Sequence, residues 1–251
     1  MTGRVLVIGL GPGEARFLTA DAVAALESAD AVYGYKPYLD RVPPRAGQEL
    51  VPSDNREEIA RAGAALERAA RGETVAIVSG GDPGVFAMAA AVCEAIEAGP
   101  PGWRTLPVTI HPGVTAMLAL AARVGAPLGH DFCALSLSDN LKPWAVVEKR
   151  LDAAARAGFA MAFYNPISRA RPWQLGAAFD ILRSALPPHV PVIFGRAIGR
   201  SDERVTIVPL ERADPALADM ATLIIIGTTE TRIVERPGLE PLVYTPRSLP
   251  L

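Results

Sequence analysis

The stretch Arg4-Val5-Leu6-Val7-Ile8-Gly9-Leu10-Gly11-Pro12-Gly13 decides the fold. Five residues rich in β-branched and aliphatic side chains end at a glycine, and helical apolar spacing follows from Thr19 to Ser28. The reading is strand, loop, helix. The same unit recurs outward from it. Ala31–Tyr35 reads as a strand, 57–71 as a helix, Thr74–Ser79 as a strand, 85–98 as a helix, 106–111 as a strand and 114–124 as a helix. Strands that are apolar throughout and alternate with helices predict a largely parallel sheet covered on both faces.

The turn formers of Gly125-Ala-Pro-Leu-Gly-His130 interrupt this series, which predicts two domains, 1–128 and 129–251. In the second, 132–137 and 160–164 read as strands, 142–156 and 172–186 as helices, and 192–196, 205–208 and 223–227 as further strands. Two of these strands have no helix between them, so the second sheet is expected to be mixed. The proline-bearing segment 237–250 reads as a loosely ordered tail. The expected class is α/β, with two α/β domains.

Composition narrows the chemistry. The chain has 251 residues, half of them apolar and 21% charged, enough for a sizeable core. A net charge of −2 offers no general attraction to nucleic acid or to anionic lipid, and no uncharged apolar run of 18 residues appears. The expectation is a cytoplasmic protein with a small-molecule substrate. Cys93 and Cys133 lie in apolar stretches, and the 3 histidines show no ligand spacing, so no protein-held metal is expected.

Three loops carry the chemical signal. Gly9-Leu10-Gly11-Pro12-Gly13, Gly80-Gly81-Asp82-Pro83-Gly84 and His111-Pro112-Gly113-Val114-Thr115-Ala116 each follow a strand, so together they form one rim at the strands' carboxyl ends, where α/β proteins bind ligands. The first loop by itself admits a nicotinamide-dependent oxidoreductase. It departs from the dinucleotide fingerprint, which needs its third glycine at the start of the following helix, whereas here Glu14, Ala15 and Arg16 intervene and Pro12 stiffens the loop. Asp82 has two readings, an acceptor for ribose hydroxyls and a cap for the following helix. A turn-and-cap account covers each loop singly, yet leaves unexplained why all three hold more glycine than a turn requires.

The first loop, the Gly80–Gly84 loop with Val85 and Phe86, and Pro112–Ala116 together resemble the signature motifs of the tetrapyrrole methylases, over essentially the whole chain. Ser136-Leu-Ser-Asp-Asn-Leu-Lys-Pro-Trp144 and Phe163-Tyr-Asn-Pro-Ile-Ser-Arg169 resemble the branch that methylates precorrin-3B at C-17. The resemblance implies S-adenosylmethionine folded in an active cleft between the two domains, and usually a homodimer. It places Leu10, Gly11, Gly81, Asp82, Val85, Thr115 and Ala116 around the cofactor, with Tyr164, Asn165, Ala197 and Thr228 on its adenine side. Methylation at C-17 comes with ring contraction in cobalamin (corrin) biosynthesis, giving precorrin-4. Alternatives within the family are other tetrapyrroles, such as cobalt-precorrin-3 or uroporphyrinogen III.

Methyl transfer from a sulfonium needs an in-line nucleophile and no covalent enzyme intermediate. Ring contraction also moves protons, and Glu14, Ser138, Asp139 and Lys142 are the candidate catalytic residues for that. Asp139 reads equally as a cap of the helix near Lys142. The substrate carries many carboxylates, so Arg16, Lys36, Arg169, Arg171 and Arg196 are candidate anion partners. Tyr33, Tyr35, Tyr38, Trp144 and Trp173 are candidates for flat apolar contact with the macrocycle, or else for core packing.

Overall fold

The computed structural model describes residues 3–248. The chain divides into two compact units, Met1–Ala116 and Met117–Leu251. The division falls ahead of the 125–130 turn cluster that the sequence reading took as the boundary, because the chain around that cluster pairs with the far C-terminal strands, as described below.

In the first unit the elements run β1 (Arg4–Gly9), α1 (Ala20–Ser28), β2 (Ala31–Tyr35), α2 (Lys36–Leu39), β3 (Glu49–Ser53), α3 (Glu58–Ala70), β4 (Thr74–Ser79), α4 (Met88–Ala98) and β5 (Val108–His111). The five strands form one sheet in the order β3-β2-β4-β1-β5, every pair parallel. β1 shows why an apolar run becomes a central strand. Val5 and Val7 point to one face and meet Ala62, Ala65 and Leu66 of α3 and Val92 of α4. Leu6 and Ile8 point to the other and meet Ala22, Ala25 and Leu26 of α1. Both faces are covered, as the unbroken apolar strands require.

β3 escapes the sequence reading. Pro52 within Glu49–Ser53 removes a ladder donor, which a strand tolerates at a sheet edge, and that is where β3 lies.

The second unit continues with α5 (Ala116–Val124), β6 (Gly125–Ala126), β7 (Phe132–Ser136), α6 (Trp144–Arg156), β8 (Ala160–Tyr164), α7 (Gln174–Ala185), β9 (Pro191–Arg196), β10 (Arg204–Pro209), β11 (Thr222–Ile226), β12 (Arg232–Arg236) and β13 (Leu239–Tyr244). Its main sheet has the order β10-β9-β11-β8-β7 and is mixed: β7 and β8 run parallel, and the other three pairs antiparallel. Met161, Phe163, Val192, Phe194, Ile224 and Ile226 pack one face against Val147 and Leu151 of α6 and Leu175, Phe179 and Leu182 of α7. On the opposite face Gly195 leaves room for Leu120 of α5, whose methyl carbons lie 2.6–2.7 Å from where a Cβ would stand.

The expectation of a loose tail over 237–250 is overturned for most of its length. β12 and β13 form a hairpin, with Arg236 opposite Leu239 and Gly238 at φ +74°, and β6 adds to β13 as a third strand. Pro237 and Gly238 are the turn of that hairpin. Residues 249 and 250 lie outside the described residues.

Candidate active site

α1 follows β1 and covers one face, whereas α4 follows the neighbouring strand β4 and covers the other. The chain therefore departs in opposite directions from two adjacent parallel strands, the arrangement that opens a crevice at their carboxyl ends. The first two glycine loops stand at this point, and the third follows β5 on the far side of β1.

The surplus glycines have a packing cause. Gly11 and Gly81 exchange backbone hydrogen bonds, Gly11 N–H to the Gly81 carbonyl at 3.1 Å and Gly81 N–H to the Gly11 carbonyl at 2.8 Å. A Cβ on Gly113 would stand 2.2 Å from the Gly81 carbonyl oxygen and 2.9 Å from the Gly9 backbone. One on Gly9 would stand 2.7 Å from both Gly113 N and the Gly81 oxygen. Three loops that touch backbone to backbone leave no space for side chains between them.

Asp82 completes this assembly. One carboxylate oxygen accepts the Gly84 N–H at 2.8 Å, and the other accepts the Gly113 N–H at 3.0 Å. The helix-cap reading does not hold, since α4 starts at Met88 with Ala87 as its cap residue and no side-chain cap bond. Thr19 does cap α1, accepting from Ala22 N–H at 3.1 Å while its hydroxyl donates to the Pro112 carbonyl at 3.3 Å. Leu10 is buried and donates its N–H to the Ser79 carbonyl, Val85 is half-buried, and Thr115 is buried where the third loop enters α5 at Ala116. Glu14 is exposed and pairs with Arg16 at 3.2 Å, on the rim of a recess of about 190 Å³ lined also by Leu10, Gly13, Ala15, Leu18 and Arg41.

In the second unit, the loops after the parallel strands β7 and β8 are tied together. Asn165 donates from its side-chain amide to Ser136 Oγ at 3.0 Å, and Arg171 donates to the Asn165 carbonyl at 3.0 Å. Lys142 donates to the Ser138 carbonyl at 3.0 Å. Asp139 is not a helix cap. It accepts from the buried Gln174 amide through both oxygens, at 3.1 and 3.2 Å, while α6 begins after Pro143. Gln174 had no sequence signal as a partner, because nothing in the chain order links it to Asp139.

Lys142 has its pKa lowered, first by burial and then by the charge of Arg150, with Asp139 opposing and Arg171 adding to the shift. A lysine with a lowered folded-state pKa costs stability wherever it is charged, and that cost is relieved as pH climbs from its folded pKa toward the ordinary value of 10.5. Urea unfolding of Lys142→Met should therefore lack part of the wild type's gain in stability over that alkaline window. Identical pH profiles for the two proteins would contradict the shift.

Backbone strain occurs in loops of each unit. Among the described residues four non-glycine residues have positive φ: Arg56 at +70° and Phe86 at +53° in the first unit, and Asn165 and Ala197, each at +50°, directly after β8 and β9 in the second. Such conformations cost about 1–3 kcal/mol each and collect at functional sites.

Thr228 does not join them. β11 runs antiparallel to β8 and β9, with Ile226 opposite Met161 and Val192, so Thr228 lies past the end of the sheet opposite to Tyr164 and Ala197. It is buried in a turn, its N–H donating to Thr231 Oγ1 at 2.7 Å. Thr222, at the start of β11 and opposite Arg196, is the β11 threonine at the Ala197 end.

Other expectations shift too. Arg196 bonds Asp202 and Asp219, each at 2.7 Å, and is committed to structure. Burial acts to raise the Asp219 pKa, but Thr222, Arg196 and the Ala221 N–H outweigh it and hold the carboxyl below the ordinary range. Lys36 pairs with Asp40 at 3.1 Å. Tyr38 packs its ring on Gly80, within 2.8 Å of where a Cβ would stand. Trp144 and Trp173 meet edge to face at 5.0 Å, with Trp173 half exposed and Leu141, nearby in the loop before α6, 99% exposed.

The profile of the tetrapyrrole (corrin/porphyrin) methylases matches residues 4–214. The chain belongs to this family. It is 64% identical over 247 residues to a precorrin-3B C(17)-methyltransferase of Sinorhizobium, covering 98% of this chain and 97% of that one. A probable cobalt-factor III C(17)-methyltransferase of Salmonella typhimurium is 39% identical, over 95% of this chain and 98% of the other. Among solved structures, that of the methyltransferase CobJ superposes with a TM-score of 0.93 at 50% identity, covering 97% of this chain and 100% of the other. Tetrapyrrole methylase chemistry accounts for the loop that lacks a dinucleotide fingerprint, and the oxidoreductase reading falls away. Among the described residues, no helix is long and apolar enough to cross a membrane, and no three His, Cys, Asp or Glu side chains gather as metal ligands.

Proposed function

We propose that this methylase transfers a methyl group from S-adenosylmethionine to C-17 of precorrin-3B, with ring contraction and extrusion of C-20 as an acetyl group, giving precorrin-4. The observation that carries the reading is the 64% identity, from end to end, with a precorrin-3B C(17)-methyltransferase. S-adenosylmethionine, when bound, supplies an activated methyl group. We further propose a cytoplasmic homodimer, the assembly usual in the family.

The residues present fit this cofactor. Gly81 has φ +69°, and a Cβ there would touch Thr115 and Ala116 only at ordinary contact distance, 3.7–3.9 Å, so no protein atom crowds the backbone at the proposed cofactor edge. Asp82 uses one acceptor site on each oxygen for the loops. A carboxylate has about four such sites, so it retains capacity for ribose hydroxyls. Leu10, Gly11, Val85, Thr115 and Ala116 complete the first unit's share; Tyr164, Asn165 and Ala197 form the second unit's, with Thr222 in place of Thr228.

Toward the substrate, Lys142 is the proposed proton carrier, since its lowered pKa eases release of a proton, while Asp139, held by Gln174, favours its charged form and so helps it regain one. Ser138 and Glu14 are the remaining candidates for handling protons. Arg169 and Arg171 are proposed to meet substrate carboxylates, and the exposed Leu141 and Trp173 its apolar face.

A second reading keeps a cobalt-bearing substrate, favoured by the 39% identity to the probable cobalt-factor III enzyme. Parallel incubations with S-adenosylmethionine and either precorrin-3B or cobalt-factor III decide between them by product mass. Methylated, ring-contracted product from precorrin-3B alone supports the first reading; turnover of cobalt-factor III alone replaces it with the second.

A further inference from the structure

The segment from α2 to Arg41 acts on the glycine loops from outside them. Tyr38 lays its ring on Gly80. Three residues on, one guanidinium nitrogen of Arg41, Nη2, donates to the carbonyls of Leu10 at 2.8 Å, Gly11 at 2.9 Å and Gly13 at 2.7 Å. Three carbonyl oxygens converging on one point repel one another unless a cation sits among them. The same Gly11 carbonyl also receives the Gly81 N–H, so the Arg41 contact reaches the second loop through the bridge between them. Arg41 is half-buried and also lines the recess bounded by Leu10, Gly13 and Glu14. Its charge lies where the loop's shape is set.

We infer that Arg41 is a positioning residue for the methyl donor: its guanidinium gathers three carbonyls of the first glycine loop and fixes the loop's ligand-bound shape before the cofactor arrives. This rests on the proposed cofactor site. The ordering of a loop that would otherwise be disordered is carried out during folding, so it is not subtracted from binding. A staple of purely structural character would raise global stability without a particular effect on the cofactor, and the two roles separate experimentally.

In calorimetric titrations with S-adenosylhomocysteine, Arg41→Ala is expected to bind about tenfold more weakly, roughly 1.4 kcal/mol. Arg41→Lys, which keeps the charge but not the planar fork, should fall between Ala and wild type. Guanidinium ion added at low millimolar concentration should restore part of the affinity of Arg41→Ala without raising its melting temperature. Steady-state kinetics should show the loss in KM for S-adenosylmethionine more than in kcat. Wild-type affinity in Arg41→Ala overturns the inference while leaving the cofactor site intact, as does a fall in melting temperature with no guanidinium rescue of binding. Failure of the wild type itself to bind S-adenosylhomocysteine would instead remove the underlying reading. Should Arg41→Ala not fold, Arg41→Lys with the same titration and kinetics carries the test.

Discussion

Gly113→Ala is expected to abolish S-adenosylhomocysteine binding and to lower stability by about 2–3 kcal/mol, the cost of overpacking a rigid site. At roughly 2–4 °C per kcal/mol for a chain of this size, the melting temperature should fall by about 4–12 °C. The new methyl would lie 2.2 Å from the Gly81 oxygen and 2.9 Å from Gly9, and both neighbours are backbone held in adjacent parallel strands or in the bridge to Gly11. No side chain is available to rotate away, so the third loop must lift from the other two. Gly81→Ala is the control for stability alone, read by melting temperature. Its Cβ would make only ordinary contacts, none closer than 3.7 Å, and its cost is that of an alanine at φ +69°, about 1–2 kcal/mol. A Gly113→Ala protein that melts like wild type and binds the cofactor product normally would show that the three loops are not locked together.

Asp82→Ala carries the second large effect. It removes the acceptor of two N–H groups from two different loops, and with it the proposed partner of the ribose hydroxyls. The stability loss should be modest, about 1–2 kcal/mol, because the Gly84 amide lies at an exposed residue and can turn to water. The binding loss should be larger, about a hundredfold or roughly 2.7 kcal/mol, since the loops lose their relative placement and the ligand loses an anchor. Asp82→Asn keeps one acceptor oxygen and should recover part of the affinity. Thermal melts set beside calorimetry discriminate the roles: a large fall in melting temperature with unchanged affinity would make Asp82 purely a loop brace.

These expectations show which features are written locally in the chain. β1 and its glycine loop are legible because an aliphatic run followed by glycine has one common solution, a buried parallel strand that turns at the ligand edge. Asn165 and Ala197 follow β8 and β9 directly with positive φ, a backbone state that the short motifs around them do not spell out. Thr228 was misplaced for a different reason. In an antiparallel strand the end that faces the site depends on direction, and direction is a property of pairing that no local motif records. β3 and the terminal hairpin were hidden by prolines and glycine, which read as breakers although one marks an edge strand and the others a turn. The contacts of Arg41, Gln174 and Tyr38 were invisible because each joins segments with no periodic relation: Arg41 reaches back 28–31 residues to the loop it gathers, and Gln174 back 35 to Asp139.

The fold accounts for the glycine surplus and for the hydrogen bonds of Asp82, and both bear on one proposed role for the first unit's loops. Diffraction from crystals grown with S-adenosylhomocysteine tests this most directly. Ligand density against Leu10, Gly81, Asp82, Val85, Thr115 and Ala116, with an Asp82 oxygen within hydrogen-bond reach of the ribose, is the predicted result. Density away from these loops, for example at the turn around Thr228, would contradict the account.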